Sequence, residues 1–317
     1  MYSRIAGTGK YLPERVLTNA DLEKMVETTD EWIKSRTGIE RRHIAADDEY
    51  TSHLAHKAAL AALESAGVAP SDIDFVVVGT TTPDLIFPNV ACLVQDKLGI
   101  KSCPAFSVEA ACSGFIYSLV VADQFIRTGG ARRALVIGAE TMSRIIDWTD
   151  RETCVLFGDG AGAVVLEAAE TPGVMYSTLG ADGRYRDLLY ASSGVSLRQR
   201  EGAALRMKGN EVFKVAVKTL ENLVDDVVEK NNLEKGQIDW LIPHQANIRI
   251  ISATAKRLDL PMERVILTVR EHGNTSAASV PMALDTAIRD GRIKRGDLLL
   301  LEAFGGGFTW GASLIRY

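Results

Sequence analysis

The chain is poor in the residues that build metal and disulfide scaffolds. It has four cysteines in 317 residues, Cys92, Cys103, Cys112 and Cys154, and no two form a Cys-x-x-Cys pair. None of its five histidines, His43, His53, His56, His244 and His272, stands at zinc-ligand spacing from a cysteine. His53 and His56 are three positions apart but lack further ligands, so no metal is expected. Free thiols suit a reducing compartment. Charge of one sign is also missing: 36 Lys and Arg against 41 Asp and Glu give a formal net charge of −5, which argues against a general nucleic-acid binder. No apolar run approaches the roughly 20 residues that span a bilayer. The opening stretch "MYSRIAGTGKYLPE" lacks the long apolar core of a signal peptide. A cytoplasmic protein without a membrane partner is the expectation. The three glycines of "EAFGGGFTWGAS" (302–313) are not followed by Lys-Ser/Thr, which excludes a phosphate loop. "FGDGAGAVV" (157–165) leads into a strand rather than out of one into a helix, which excludes a dinucleotide fingerprint. No cofactor is expected.

What is present is an ordinary globular composition, 46% hydrophobic and 24% charged, on a chain long enough to bury a substantial core. Short apolar runs alternate with helical patterns. "DFVVVGTTT" (74–82), "RALVIGAE" (133–140), "AGAVVLEA" (161–168), "IDWLIPHQ" (238–245), "DLLLLEAFGGG" (297–307) and "WGASLIRY" (310–317) read as buried strands. "SHLAHKAALAALESAG" (52–67) has leucines at helical spacing and a terminal Gly67. Strands alternating with helices predict an α/β fold.

Three segments recur in order. "LAALESAGVAPSDIDFVVVGT" matches "VDDVVEKNNLEKGQIDWLIPH" with Ile73 on Ile238, an offset of 165. "FIRTGGARRALVIGAE" (125–140) matches "AIRDGRIKRGDLLLLE" (287–302) with Ile126 on Ile288, an offset of 162. "DGAGAVVLE" (159–167) matches "TWGASLIRY" (309–317). The collinearity predicts a duplication with halves 1–171 and 172–317. The offset of 162 carries Cys112 onto Asn274, and the offset of 165 carries Gly79, at a strand end, onto His244. Packing of the halves about a pseudo-twofold axis would bring Cys112, His244 and Asn274 together.

Cys112 opens "CSGFIYSLVVADQFIRTGG", which reads as a helix running to Gly129. A helix start carries unpaired N–H groups and partial positive charge, conditions that favour a thiolate. The segment alone leaves a second reading open, a small core cysteine at a tight strand–helix junction. His244 follows a strand broken by Pro243, where α/β ligand sites lie, and it also reads as a loop histidine. Asn274, before Thr275-Ser276, is equally a simple helix N-cap. The glycine-rich turn at 305–307 reads either as a plain β-turn or as a donor of backbone N–H to an oxyanion. Arg249, Lys256 and Arg257, seven and eight positions apart, share one helix face, and Lys214 on another predicted helix joins them.

Taken together, "TTDEWIKSRTGIERRHIA", "EAACSGF", "IPHQANIRI", "HGNTSAASVP" and "EAFGGGFTWGASLIRY" resemble the thiolase superfamily, and within it the β-ketoacyl-acyl carrier protein synthase III family, over essentially the whole chain. The resemblance implies a duplicated five-layer αβαβα fold and a homodimer. It implies an acyltransferase of fatty acid synthesis that condenses a short acyl-CoA with malonyl-acyl carrier protein. Cys112 would be the nucleophile, and His244 and Asn274 the donors to the malonyl thioester oxygen. The backbone N–H groups of Cys112 and Gly306 would hold the acyl-transfer oxyanion, and Phe304 would line the site. CoA would lie along Thr28, Trp32, Arg36, Arg151, Gly209 and Asn247. Lys214, Arg249, Lys256 and Arg257 would dock the acidic carrier protein. Phe87 in "DLIFPNVAC" would reach across the dimer interface to bound the acyl pocket, its bulk favouring an acetyl starter. A related Cys-His-Asn condensing enzyme of secondary metabolism is the alternative.

Overall fold

A computed structural model describes residues 1–192, 194–197 and 204–317. The first half contributes strands β1 (Tyr2–Tyr11), β2 (Arg15–Thr18), β3 (Arg41–Ile44), β4 (Phe75–Gly79), β5 (Ala105–Val108), β6 (Arg133–Glu140) and β7 (Gly160–Ala169). Its helices are α1 (Asn19–Leu22), α2 (Asp30–Thr37), α3 (Thr51–Ala66), α4 (Val90–Lys97), α5 (Gly114–Arg127) and α6 (Arg151–Cys154). The second half contributes β8 (Val174–Ala181), β9 (Leu189–Ala191), β10 (Leu205–Met207), β11 (Trp240–Pro243), β12 (Leu298–Gly305) and β13 (Thr309–Arg316). Its helices are α7 (Gly209–Lys230), α8 (Ile248–Arg257), α9 (Val269–His272) and α10 (Ser279–Arg289).

Two sheets carry the fold, in the orders β1-β7-β6-β4-β5 and β11-β12-β13-β8. Strands β4, β6, β7, β11, β12 and β13 are largely apolar on both faces because both faces are covered by helices, whereas the edge strands β1, β5 and β8 are more exposed. On one side of the first sheet, Val76, Val78, Leu135 and Ile137 pack against Leu54, Ala55, Ala58 and Ala62 of α3. On its other side, Phe75, Val77 and Val136 meet Phe115, Ile116 and Leu119 of α5 and Val280, Ala283 and Leu284 of α10. The same central helices cover Ile242, Leu299 and Leu301 of the second sheet. That sheet's far side, with Leu298, Leu300 and Phe304, packs under Val212, Ala216 and Leu220 of α7 and Ile250 and Ile251 of α8. The layers therefore run α, β, α, β, α, the architecture expected of the thiolase fold.

The six predicted strands are all present, each within a few residues of its predicted ends, and α3 ends at Gly67 in the left-handed conformation (φ 64°), as its sequence suggests. One expectation needs correction. Phe75 and Trp240 start equivalent strands 165 positions apart, and the same separation holds for Arg133 and Leu298, for Gly114 and Ser279, and for the 3-10 turns Ala111–Ser113 and Ser276–Ala278. The equivalent of Cys112 is therefore Ala277, not Asn274. The offset of 162 holds only at the helix ends, Arg127 and Arg289. Helix α10 has 11 residues where α5 has 14, and a longer loop to β12 restores the register. The two helix starts meet closely above the first sheet. A Cβ on Gly138 would lie 2.2 Å from the Ala277 carbonyl oxygen, so only glycine admits that contact.

Candidate active site

Cys112 sits on a sharp turn between β5 and α5. Ala111 adopts a left-handed φ of 46°, a conformation costly for a residue with a Cβ, and the turn Ala111–Ser113 is a 3-10 helix rather than the first turn of α5. Hydrogen bonds from Ser113 Oγ to the Thr309 carbonyl (3.0 Å) and from Thr309 Oγ1 to the Ala110 carbonyl (2.8 Å) tie this turn to β13. The thiol is buried, with 7% of the residue exposed. Burial pushes it up to about 12, with the Ser276 hydroxyl drawing it down and the Glu140 carboxylate adding to the rise. The thiolate expected at a helix start is thus not the resting form, because desolvation outweighs the donors around it.

His244 follows β11, as its sequence implies. Its N–H donates to the Glu302 carbonyl (2.8 Å), and its Nδ1 lies 2.7 Å from Ser279 Oγ. Ser279 Oγ also accepts the Gln245 N–H (3.3 Å), so one hydroxyl braces both the imidazole and the backbone of the next residue. Burial lowers the imidazole to about 4, so it is neutral at pH 7. Gln245, wholly buried, donates to the Pro243 and Ile266 carbonyls and accepts from the N–H groups of Thr268 and Val269. It thereby fastens the His244 loop to the segment leading to Asn274. Asn274 donates its N–H to the Leu156 carbonyl (2.9 Å) and accepts from Gly158 N–H (3.0 Å). Its Oδ1 accepts the Ser276 N–H (2.9 Å), so the amide Nδ2 is the end free to donate. The simple N-cap reading of Asn274 does not hold, because Thr275 takes that position before the turn Ser276–Ala278 and Ala278 takes it before α10.

Cys112, His244, Asn274 and Phe304 line a single cavity of about 560 Å³. Trp32, Arg36, Arg151, Gly209, Asn247 and Arg249 line it too. Trp32 and Arg36 share a face of α2, and the Thr29 hydroxyl caps that helix by accepting Trp32 N–H at 3.1 Å. The guanidinium carbons of Arg36 and Arg151 lie 4.7 and 5.0 Å from the centre of the Trp32 ring. Arg151 also donates to the Glu27 carbonyl (2.9 Å). Asn247 caps α8 through Oδ1, which accepts from Arg249 and Ile250 N–H. Arg249 lies 4.7 Å over the Phe213 ring.

Other expected residues lie outside this cavity. Thr28 has a buried hydroxyl without a hydrogen-bond partner among the described residues, yet it does not line the cavity. Gly306 follows the end of β12, and its neighbour Gly305 comes closer to the Cys112 backbone. Phe87 is 83% exposed, beside exposed Leu85 and Ile86. Lys214 and Lys256 are exposed, but Arg257 is engaged by Asp225 of α7 and so does not stand as a free cation. The residues alone did not single out Ser276, Ser279, Gln245 or Glu140. A charged residue closing the apolar run "RALVIGAE" was the one signal available for Glu140.

A family model described as 3-oxoacyl-[acyl-carrier-protein] synthase III matches residues 106–183, and its C-terminal counterpart matches residues 228–317. The chain is 64% identical to a β-ketoacyl-[acyl-carrier-protein] synthase III of Xanthomonas campestris, over 100% of this chain and 99% of that one. It belongs to this family. Among solved structures it is similar to 3-oxoacyl-[acyl-carrier-protein] synthase III from Aquifex aeolicus, with a TM-score of 0.95 and 49% identity over 99% of this chain and 100% of that one. The Pseudomonas aeruginosa synthase III gives a TM-score of 0.94 and 41% identity over 100% and 98%. This synthase III family member is thus a condensing acyltransferase of fatty acid synthesis. None of its helices among the described residues is long and apolar enough to cross a membrane.

Proposed function

We propose that this family member catalyses a two-stage decarboxylative condensation of a short acyl-CoA, acetyl-CoA in particular, with malonyl-acyl carrier protein. Cys112 Sγ attacks the acyl-CoA thioester, CoA leaves, and an acyl-Cys112 thioester remains. Malonyl-acyl carrier protein then enters and loses CO₂. The resulting carbanion attacks the acyl-Cys112 carbonyl, the bond to Sγ breaks, and β-ketoacyl-carrier protein leaves Cys112 as a thiolate that takes up one proton. The observation that carries this reading is the convergence of a buried thiol, a neutral imidazole and a carboxamide on one cavity whose lining includes Trp32 flanked by two arginines.

The residues suit the charges that develop. Decarboxylation places negative charge on the malonyl thioester oxygen. His244 Nε2–H and Asn274 Nδ2–H donate to it, each worth about 3 kcal/mol by analogy with other oxyanion holes. A neutral His244 donates without first needing a proton from water. The N–H groups of Cys112 and Gly306 hold the oxyanion of acyl transfer, and Phe304 gives the malonyl carboxylate an apolar neighbour that favours its loss. Trp32 stacks on the CoA adenine, and Arg36 and Arg151 meet its ring or phosphates. Thr28, Gly209 and Asn247 follow the rest of the CoA. The carrier protein docks by its acidic surface on Arg249, Lys256 and Lys214, with Arg257 held by Asp225. The exposed Leu85, Ile86 and Phe87 are covered by a second copy of the chain, making a homodimer in which Phe87 bounds the partner's acyl pocket. The enzyme works in the cytoplasm.

Mass spectrometry after incubation with acetyl-CoA tests the first stage: an acetyl adduct on Cys112 is expected, and its absence with every short starter overturns the assignment. His244→Ala and Asn274→Ala retain that adduct and each lose about 10²-fold in malonyl decarboxylation. Unimpaired decarboxylation in both variants refutes their role as donors.

A further inference from the structure

The proposed decarboxylation needs a ring proton of His244 in the cavity, and a neutral imidazole has only one to give. The loop that carries the residue is fixed through its backbone. His244 N–H donates to the Glu302 carbonyl, and the His244 carbonyl accepts Ala246 N–H (3.0 Å). Those bonds hold the peptide and leave the ring free to turn. Among the described residues the ring makes one hydrogen bond, between Nδ1 and Ser279 Oγ at 2.7 Å. Ser279 is the first residue of α10 and is 1% exposed. Its Oγ accepts Gln245 N–H at 3.3 Å and bonds no further polar atom among the described residues. The positive end of α10 lies at the same point and disfavours a second proton on the imidazole.

The duplication supplies an internal control for this pair. His244 follows β11 where Gly79 ends β4, and Ser279 opens α10 where Gly114 opens α5, each 165 positions further along the chain. In the first half the two positions meet backbone to backbone. A Cβ on Gly79 would stand 2.4 Å from the Gly114 carbonyl carbon, so glycine is needed for that approach. In the second half the same strand end and helix start carry an imidazole and a hydroxyl bonded to each other. The fold therefore makes this crossing without any side chain at either position. Two polar side chains placed there together serve the chemistry of the cavity rather than the crossing.

We propose that Ser279 is a positioning residue for decarboxylation, its hydroxyl donating to Nδ1 so that the single imidazole proton of His244 stands on Nε2. The inference rests on the function proposed above. The reverse assignment has Nδ1–H donating to Oγ. It leaves a buried hydroxyl proton without an acceptor among the described residues, and it leaves the ring that lines the cavity with no proton on Nε2. With the hydroxyl donating, Oγ accepts Gln245 N–H and gives its own proton to Nδ1, so both groups are satisfied. The nitrogen that bears the proton of a histidine is set by the bond its other nitrogen makes. Ser279 does not line the cavity and acts through His244. Acylation of Cys112 does not draw on the His244 proton, so loss of the Ser279 hydroxyl separates the two stages.

The test has two readouts. In protein labelled with nitrogen-15 at histidine, NMR of the His244 ring, identified by its loss in His244→Ala, reports which nitrogen carries the proton. The expected result at pH 7 is a protonated Nε2 and a bare Nδ1 in wild type, and a proton divided between the two nitrogens in Ser279→Ala. A proton on Nδ1 in wild type overturns the inference, and so does a wild-type distribution in Ser279→Ala. The second readout is rate, with melting curves to establish folding. Ser279→Ala is expected to acetylate Cys112 within about twofold of wild type, and to release CO₂ from malonyl-acyl carrier protein about tenfold more slowly in kcat with KM nearly unchanged. Combined with His244→Ala, it is expected to add no further loss, because the hydroxyl acts only through the ring. CO₂ release at the wild-type rate overturns the inference. Equal loss in both stages, the mark of a structural role, does the same, as do losses that multiply in the double variant. A wild type that releases no CO₂ refutes the proposed function instead, and its spectrum still decides the hydrogen bond. If Ser279→Ala does not fold, the wild-type spectrum decides by the same criterion.

Discussion

Gly305 → Ala places a methyl group against the nucleophile's backbone. The added Cβ would stand 2.6 Å from Cys112 N, 3.1 Å from Ser113 N and 3.2 Å from Ala111 Cβ, all on one strained turn. Ordinary van der Waals contact begins at 3.4 Å, so the turn or β12 must give way by nearly 1 Å. The turn has little freedom to do so, because Ser113 and Thr309 bind it to β13. Overpacking of this kind costs about 1–3 kcal/mol of stability. A nucleophile misplaced by about 1 Å loses on the order of 10²-fold in rate. The assay is single-turnover acetylation of Cys112 by acetyl-CoA, with Gly236→Ala as a control because a Cβ there meets nothing within 4 Å. Gly305→Ala is expected to remain folded with a lowered melting temperature and to acetylate about 10²-fold more slowly. Acetylation within about twofold of the control, well short of that loss, refutes the claim that close backbone approach at Gly305 sets the position of Cys112.

Glu302 → Gln tests a second buried carboxyl. Glu302 Oε2 has no hydrogen-bond partner among the described residues, and burial raises the group to about 8 against an ordinary 4.5, opposed by the Thr254 hydroxyl. A folded value above the unfolded one means that stability is full below about pH 4.5 and falls as pH rises towards 8. The glutamine variant is therefore expected to have an unfolding free energy above wild type's at pH 9 by roughly several kcal/mol, measured by denaturant titration, with the gap closing at pH 4; a gap independent of pH refutes the assignment. Trp32→Ala removes the stacking platform and raises KM for acyl-CoA about tenfold with kcat nearly unchanged, as expected for loss of uniform binding; a fall in kcat alone contradicts that placement. Lys256→Glu weakens use of malonyl-acyl carrier protein several-fold and flattens its dependence on salt; an unaltered salt dependence removes Lys256 from the docking face.

Much of this protein is local in origin. The strands are legible because both faces of each sheet are covered, so their residues form short unbroken apolar runs. Helix α3 is legible because leucines at helical spacing end in a glycine that accepts a left-handed φ. The cysteine between small residues, the histidine after a broken strand and the asparagine before Thr-Ser were marked by their immediate neighbours, and they do line one cavity. Tertiary structure decided the rest. It set the repeat register, because a helix three residues shorter in the second half shifts Asn274 away from equivalence with Cys112. It set the protonation of Cys112 and His244, since desolvation depends on what the whole chain stacks over a group and not on the residues beside it. It paired Arg257 with Asp225 across two helices. It also set Ser276 of the second half against Glu140 of the first, because the central helices of both halves start against the same sheet.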